Sequence, residues 1–418
     1  MADSTYTYPK LRAPLDIQWR TVGGEQVLAL QCPLGLMDRA IHLVPAIAPV
    51  LELFNGSLPA DEIVQRFAAQ GLTGELLDGL VRLLDDNLFM ANARFFAAVE
   101  QMRREFEQST VREASRAGLV YPRQPDELRS LVHGYLASAL TDARPDQEAK
   151  TGKLVCLIAP HIDYTRGGGC YGVTYPRMTS CDADLYVIMG TSHKYSPLAF
   201  HLTAKDFACP LGTLECDRAF VAQVANRHGV QRAFADEFLH KREHSLELQL
   251  PFMAALKPQA RIAPILVGSF HHMIAAGKYP HEFEEYESFV GALVEAIRAK
   301  HADSKHVCFI AGVDMAHLGR HFGDTEPLSV DRMHSVAEQD ATYLNAIAQG
   351  DKKALFDHIC ADGDARRVCG FPTMYTILDV LSRTGLSYSC DVIKYEQAVD
   401  MKADCAVTFA GAAMYSVA

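Results

Sequence analysis

From about residue 150 onward, short β-rich apolar runs alternate with longer stretches of helical periodicity. The runs are KLVCLIAP, DLYVIMG, RIAPILVG, HVCFIAG and CAVTFAG. Between them lie HSLELQLPFMAAL, YESFVGALVEAIRAK, SVAEQDATYLNAIAQ and PTMYTILDVLSR. A run that is apolar at nearly every position is buried on both faces, and a helix between successive strands is what a parallel crossover requires. The alternation predicts an α/β fold, with a mainly parallel central sheet flanked by helices.

The first part of the chain has a different texture. In IQWRTVGGEQVLAL, Gly23-Gly24 separates two short β-type runs, a hairpin signal. IHLVPAIAPVLELFNG reads as a helix closed near Asn55-Gly56. LPADEIVQRFAAQG has Pro59 near its start and Gly71 as a stop. LTGELLDGLVRLLDDN carries Leu76, Leu77, Leu80, Leu83 and Leu84 at helical spacing, and LFMANARFF reads as a closing strand. A hairpin, three helices and a strand suggest a small winged-helix-like domain over 1–96. A charged helical linker over 97–110 and the α/β domain over 111–418 follow.

At 418 residues the chain is long enough for one large and one small core. Its net charge of -11, without a basic stripe, argues against nucleic acid bound through bulk electrostatics. No apolar run reaches membrane-spanning length, and MADSTYTYPK lacks the pattern of a secretion signal. The 11 cysteines are scattered and include no C-x-x-C pair. Such a set reads as reduced thiols, so the expected location is cytoplasmic.

Three of the strand candidates end alike. KLVCLIAP runs into His161 and Asp163, LYVIMG into Thr191, Ser192 and His193, and VCFIAG into Asp314 and His317. Loops beyond the carboxyl ends of strands in an open α/β sheet converge on one crevice, so these groups can meet there for metal binding or acid/base work. His244, which opens HSLELQLPF, is either a fourth member or the cap of a buried helix. Cys369, just before the helix beginning near Pro372, is either an inert thiol or a thiolate ligand with its pKa lowered by the helix N-terminus. Gly167, Gly168 and Gly169 lack a phosphate-loop pattern, which leaves close packing of a loop as their reading. Asp163 is either a carboxylate of the crevice or the cap of a local turn. No G-x-S-x-G elbow is present.

Together, REASRAGLVYP, APHIDY, GTSHKYSPLAF, CPLGTLECD, EHSLELQLPF, PILVGSF, GVDMAHLGR and CGFPTMY resemble, in order, the blocks of the Memo family. Bacterial members are also called AmmeMemoRadiSam system protein B. The resemblance implies a fold like the LigB-type class III extradiol dioxygenases, which use non-haem iron. It implies a metal site of His161, His193 and Cys369, with iron as the metal and copper or zinc as alternatives. His317 becomes a general acid/base oriented by Asp314, and His244 a further catalytic group. Asp163 stands where many members have glycine, and with Tyr164 it falls at the substrate-binding end. The small N-terminal domain resembles PqqD-like peptide-binding modules, which implies a peptide or small-molecule substrate and a radical-SAM or other peptide-modifying partner. The activity implied is that of a metal-dependent, oxygen-using oxidoreductase. The other class implied is a non-catalytic metal- or phosphopeptide-binding adaptor.

Overall fold

The computed structural model describes residues 7–37, 39–142 and 152–417. The chain divides into two units, 1–108 and 109–418. The stretch expected as a linker over 97–110 is therefore largely part of the first unit.

In the first unit, β1 (Asp16–Val22) and β2 (Glu25–Gln31) form the expected hairpin. Gly23 and Gly24 both take positive φ at its turn. A third antiparallel strand, β3 (Ile41–Leu43), completes the sheet. Helices α1 (Ala60–Phe67), α2 (Gly74–Asp86) and α3 (Ala93–Gln108) follow. On α2 the buried face is Leu77, Leu80, Val81 and Leu84, whereas Leu76 and Leu83 are exposed.

Two expectations are corrected here. The segment read as one helix before Asn55 is split into β3, a 3₁₀ turn at Pro45–Ile47 and the short helix Ala48–Glu52. Proline at 45 and 49 cannot donate to a helical ladder, and each sits instead in a first turn. LFMANARFF is not a strand. Met90 makes only an isolated bridge to Leu11, and Asn92 then accepts from the Phe95 N–H at the start of α3.

The second unit is built on one large sheet. Its strands are β4 (Val111–Arg112), β5 (Leu154–Ala159), β6 (Leu185–Thr191), β7 (Phe200–Leu202), β8 (Asp206–Cys209), β9 (Gly212–Cys216), β10 (Arg261–Val267), β11 (Val307–Gly312), β12 (His317–Leu318), β13 (Tyr388–Asp400) and β14 (Cys405–Ser416). The order is β12-β14-β5-β11-β6-β10-β9-β8-β4, with β13 on β14 and β7 on β10. The middle strands β5, β11, β6 and β10 are parallel, while antiparallel pairs lie at both margins. β5, β6 and β11 are buried at every position, as their unbroken apolar runs require. Flanking helices include α4 (Pro125–Asp142), α5 (Tyr164–Thr174), α6 (His244–Glu247), α7 (Glu284–Ala302), α8 (Val330–Gln349) and α9 (Phe371–Arg383).

Register decides where the loops emerge. Gly312 pairs with Ala159 on one side and Gly190 on the other, so β5, β11 and β6 end level. The glycines at these ends have a steric cause. A Cβ on Gly190 would lie 2.6 Å from Ser245 Oγ, and one on Gly312 would lie 2.3 Å from the Ser245 carbonyl oxygen. Helix α6 therefore rests directly on the strand ends.

Gly167, Gly168 and Gly169 do not form a loop. They lie within α5, where a Cβ on Gly168 would meet the Tyr135 ring of α4 at 2.2 Å. Close packing is their role, between two helices.

Candidate metal centre

His161 stands two residues beyond the level end of β5 and Asp314 two residues beyond β11. His193 follows directly on Ser192 after β6. His244 is the first residue of α6 and reaches the same place from above the sheet. One ligand atom from each of His161, His193 and His244 falls within a mutual distance of 4.8 Å. The ring centroids are 4.9 Å apart for His161 and His193, 4.5 Å for His193 and His244, and 5.3 Å for His161 and His244.

Each ring is held by its other nitrogen. Nδ1 of His161 donates to the Gly312 carbonyl at 2.9 Å. Nδ1 of His193 lies 2.9 Å from Glu243 Oε1, and Nδ1 of His244 lies 3.1 Å from the same oxygen. These contacts favour a proton on Nδ1 in each case and leave Nε2 available for a metal. Glu243 also caps α6, taking the backbone N–H groups of His244 and Ser245.

Sequence reading passed over Glu243. The signal available was an acidic residue directly before the histidine of E-H-S-x-E. Burial opposes its ionisation, but His193 and His244 hold the carboxyl well below the usual range.

The electrostatics differ among the three rings. Burial lowers His161, with His193 and His244 adding to the effect. Burial also lowers His244 against the pull of Glu243. For His193 burial is outweighed by Glu243 and Cys369, and its pKa rises to about 10. A metal would compete with that proton.

Cys369 lies just before α9, with Sγ 3.4 Å from His161 Nε2 and 3.7 Å from the Asp314 carbonyl oxygen. It is outside the mutual group formed by the three imidazoles. The thiolate alternative for Cys369 calls for a pKa lowered by the helix N-terminus. Burial instead raises it, with His193 opposing.

Asp314 is buried, and its Oδ1 accepts the backbone N–H groups of His161 at 2.9 Å and Ile162 at 3.3 Å. Burial pushes its carboxyl up to about 7. Asp314 thus braces the His161 loop. The orientation of His317 comes instead from two carbonyls, those of Met315 and Arg367, each 3.1 Å from Nδ1. Burial lowers His317 to about 4, so the ring is neutral near pH 7.

These groups line a cavity of about 450 Å³. His161, His193, His244, Asp314 and His317 all face it, with Val120, Leu248, Phe322 and Val407 on its apolar walls. Asp163 is on its lining too, but its carboxylate caps α5 through the Arg166 N–H and pairs with Arg166 Nε at 2.6 Å. Tyr164 is placed away from the cavity. It is buried among Tyr121, Tyr171 and Phe252 and donates to the Leu248 carbonyl. A smaller cavity of about 200 Å³ lies on the Cys369 side of His193, against Phe270 and Phe371.

A buried ion pair supports α6 from below. Glu247 meets Arg112 at 2.5 Å, Tyr121 Oη at 2.6 Å, and the backbone N–H groups of Ser115 and Arg116. Both charged side chains are fully buried. This joins two sequence blocks, REASRAG and EHSLE, through a single carboxylate.

A family model described as Memo-like protein matches residues 112–414. A MEMO1 family protein of Aquifex aeolicus is 25% identical over 388 residues, which covers 92% of this chain and 94% of the relative. A MEMO1 family protein of Thermococcus kodakarensis is 27% identical over 258 residues, 60% of this chain and 80% of the relative. Protein MEMO1 of Xenopus laevis is 24% identical over 319 residues, 73% of this chain and 98% of the relative. At 92% coverage the Aquifex match runs into the N-terminal unit as well.

Proposed function

Because the chain belongs to the Memo-like family, we propose that it works as a metal-dependent, non-haem, oxygen-using oxidoreductase in which His161, His193 and His244 hold the metal. The observation that carries this reading is the trio of imidazoles that each bring a ring nitrogen within 4.8 Å of the others beside a cavity, while Nδ1 of each is held by Gly312 or Glu243. Metal-binding histidines are oriented by such partners. The donor set suits iron, copper and zinc. Iron is the proposed metal, copper the alternative suggested by the nearby Cys369 sulfur, and zinc lacks redox chemistry.

A redox metal held there would supply the electrons that oxygen chemistry needs. The chain's own groups do the rest. His317, neutral and with Nδ1 engaged by carbonyls, offers Nε2 as a proton acceptor at the cavity wall. Asp314 keeps the His161 loop in place. The apolar walls limit the water around a bound substrate.

The N-terminal unit fits a substrate-recruiting role. Its sheet ends on β1, a fully exposed strand whose outer edge has no strand partner among the described residues, where an extended peptide could add. Eleven cysteines with no disulfide among them fit a reducing, cytoplasmic setting. No described helix is long and apolar enough to cross a membrane.

The test is anaerobic titration of the metal-free protein with Fe(II), Cu(I) and Zn(II), followed by exposure to oxygen with a reductant present. Stoichiometric Fe(II) or Cu(I) binding and oxygen uptake lost in His161→Ala support the proposal. Metal binding without oxygen uptake would leave a metal-binding protein and remove the oxidoreductase reading.

A further inference from the structure

The cavity above the histidines carries an uneven set of charges. Of its two carboxylates, Asp163 is paired with Arg166, and Asp314 is buried under two backbone N–H groups. Of its two arginines, Arg166 is occupied by Asp163. Arg116 has no carboxylate partner among the described residues. Its Nη2 donates to the Arg242 carbonyl at 2.8 Å, and its backbone N–H to Glu247 at 2.6 Å.

The surroundings of Arg116 add positive charge. The residue whose carbonyl holds its Nη2 is itself an arginine, Arg242, and Lys194 directly follows the cavity-lining His193. Of the acids around this cavity, Glu243 is already shared by two histidines and Glu247 is paired with Arg112. A guanidinium held by a backbone carbonyl, facing a half-apolar cavity and lacking a counter-charge, matches a carboxylate brought by a ligand. The apolar part of the wall, Val120, Ile162, Leu248, Phe322 and Val407, suits an apolar body attached to that carboxylate.

We infer that Arg116 is a specificity-determining residue, and that the cavity takes a small carboxylate with an apolar or aromatic body, its anionic end on Arg116 and its body over the histidine cluster. This deepens the reading of that cluster as the reacting centre and rests on it. A phosphate ester is the lesser fit. Arg166 is engaged with Asp163, which leaves one arginine for a group that carries more charge.

The test compares benzoate with its neutral isostere benzamide, and with phenyl phosphate, by calorimetric titration of the full chain. Each titration is run metal-free and Zn(II)-loaded, on wild type, Arg116→Gln and Arg116→Lys. The expected result is benzoate binding at least about tenfold tighter than benzamide in both metal states, as a charge-assisted hydrogen bond implies. Arg116→Gln abolishes that preference, and Arg116→Lys keeps part of it. Equal binding of benzoate and benzamide by wild type, no benzoate binding, or a preference for phenyl phosphate would overturn the inference. So would an unchanged preference in Arg116→Gln. If that variant fails to fold, the wild-type comparison still decides. Zinc uptake in the same samples separates the two claims. Benzoate preference in a protein that binds neither zinc here nor Fe(II) or Cu(I) in the titrations above removes the metal reading alone, and metal binding without benzoate preference removes this one alone.

Discussion

Glu243 grips His193 at two points: Oε1 lies 2.9 Å from the ring Nδ1, and Oε2 accepts the backbone N–H at 2.9 Å. The same Oε1 also reaches His244. One carboxylate therefore fixes the tautomer and tilt of two of the three proposed ligands. Glu243→Gln should weaken metal binding about 10- to 100-fold, the usual cost of losing such an outer partner. Competition titration against a chromophoric chelator measures it, and an unchanged affinity would remove Glu243 from the metal site.

His317 and His161 should separate cleanly. His161→Ala is expected to lose the metal. His317→Ala should keep it and lower turnover about 10²- to 10⁴-fold, the scale of general acid/base catalysis. Metal content by elemental analysis beside oxygen uptake distinguishes them. Equal loss of metal in both variants would make His317 a ligand.

Asp163→Ala removes the cap of α5 and the Arg166 pair. A stability loss of about 1 kcal/mol follows from the cap, with metal content unchanged. Chemical denaturation and metal analysis read the two effects. Loss of metal at unchanged stability would instead give Asp163 a role in the crevice.

Gly312→Ala tests the seat of α6. The new Cβ would stand 2.3 Å from the Ser245 carbonyl oxygen, so helix or strand has to shift. The cost expected for such overpacking is about 1–3 kcal/mol, together with weaker metal binding, although no ligand has been changed. A variant of wild-type stability and affinity would show that α6 is free to move.

Three histidines away from the centre set an acid limit. Burial lowers His201 and His228 to about 4 and His240 to about 3. Their unfolded value is about 6.5. Between these values the unfolded chain binds the extra protons, so the stability these rings contribute is complete above pH 6.5. It falls as pH drops toward the folded values. Urea midpoints at several pH values should show a shallower acid slope for His201→Gln than for wild type.

Much of the larger unit was legible because its strands are unbroken apolar runs with a single structural solution. β5, β6, β10 and β11 appear where KLVCLIAP, DLYVIMG, RIAPILVG and HVCFIAG predicted them. β13 was not read. YSCDVIKYEQAVD mixes charge with apolar residues because it lies at a margin and is only partly buried. The glycine run misled for a related reason: glycine signals a loop locally, whereas here the constraint is the distant Tyr135 ring. Convergence of His161 and His193 followed from strand ends alone. His244 and Glu243 stand out locally in E-H-S-x-E, but their joining the centre depends on how α6 lies across the sheet.

The ion pair of Arg112 with Glu247 bears on where the chain can be cut. The two units part after Gln108, only four residues before Arg112. A truncated version that starts beyond Tyr121 would strand the Glu247 carboxylate in the interior without its arginine or its hydrogen-bond donors. Removing one partner of a buried pair costs about 3–5 kcal/mol, and the damage would fall on the helix that carries His244. The second unit on its own therefore has to begin at or before Ser109. A fragment trimmed further would report on its own missing edge, and its silence in a metal assay would say nothing about the intact protein.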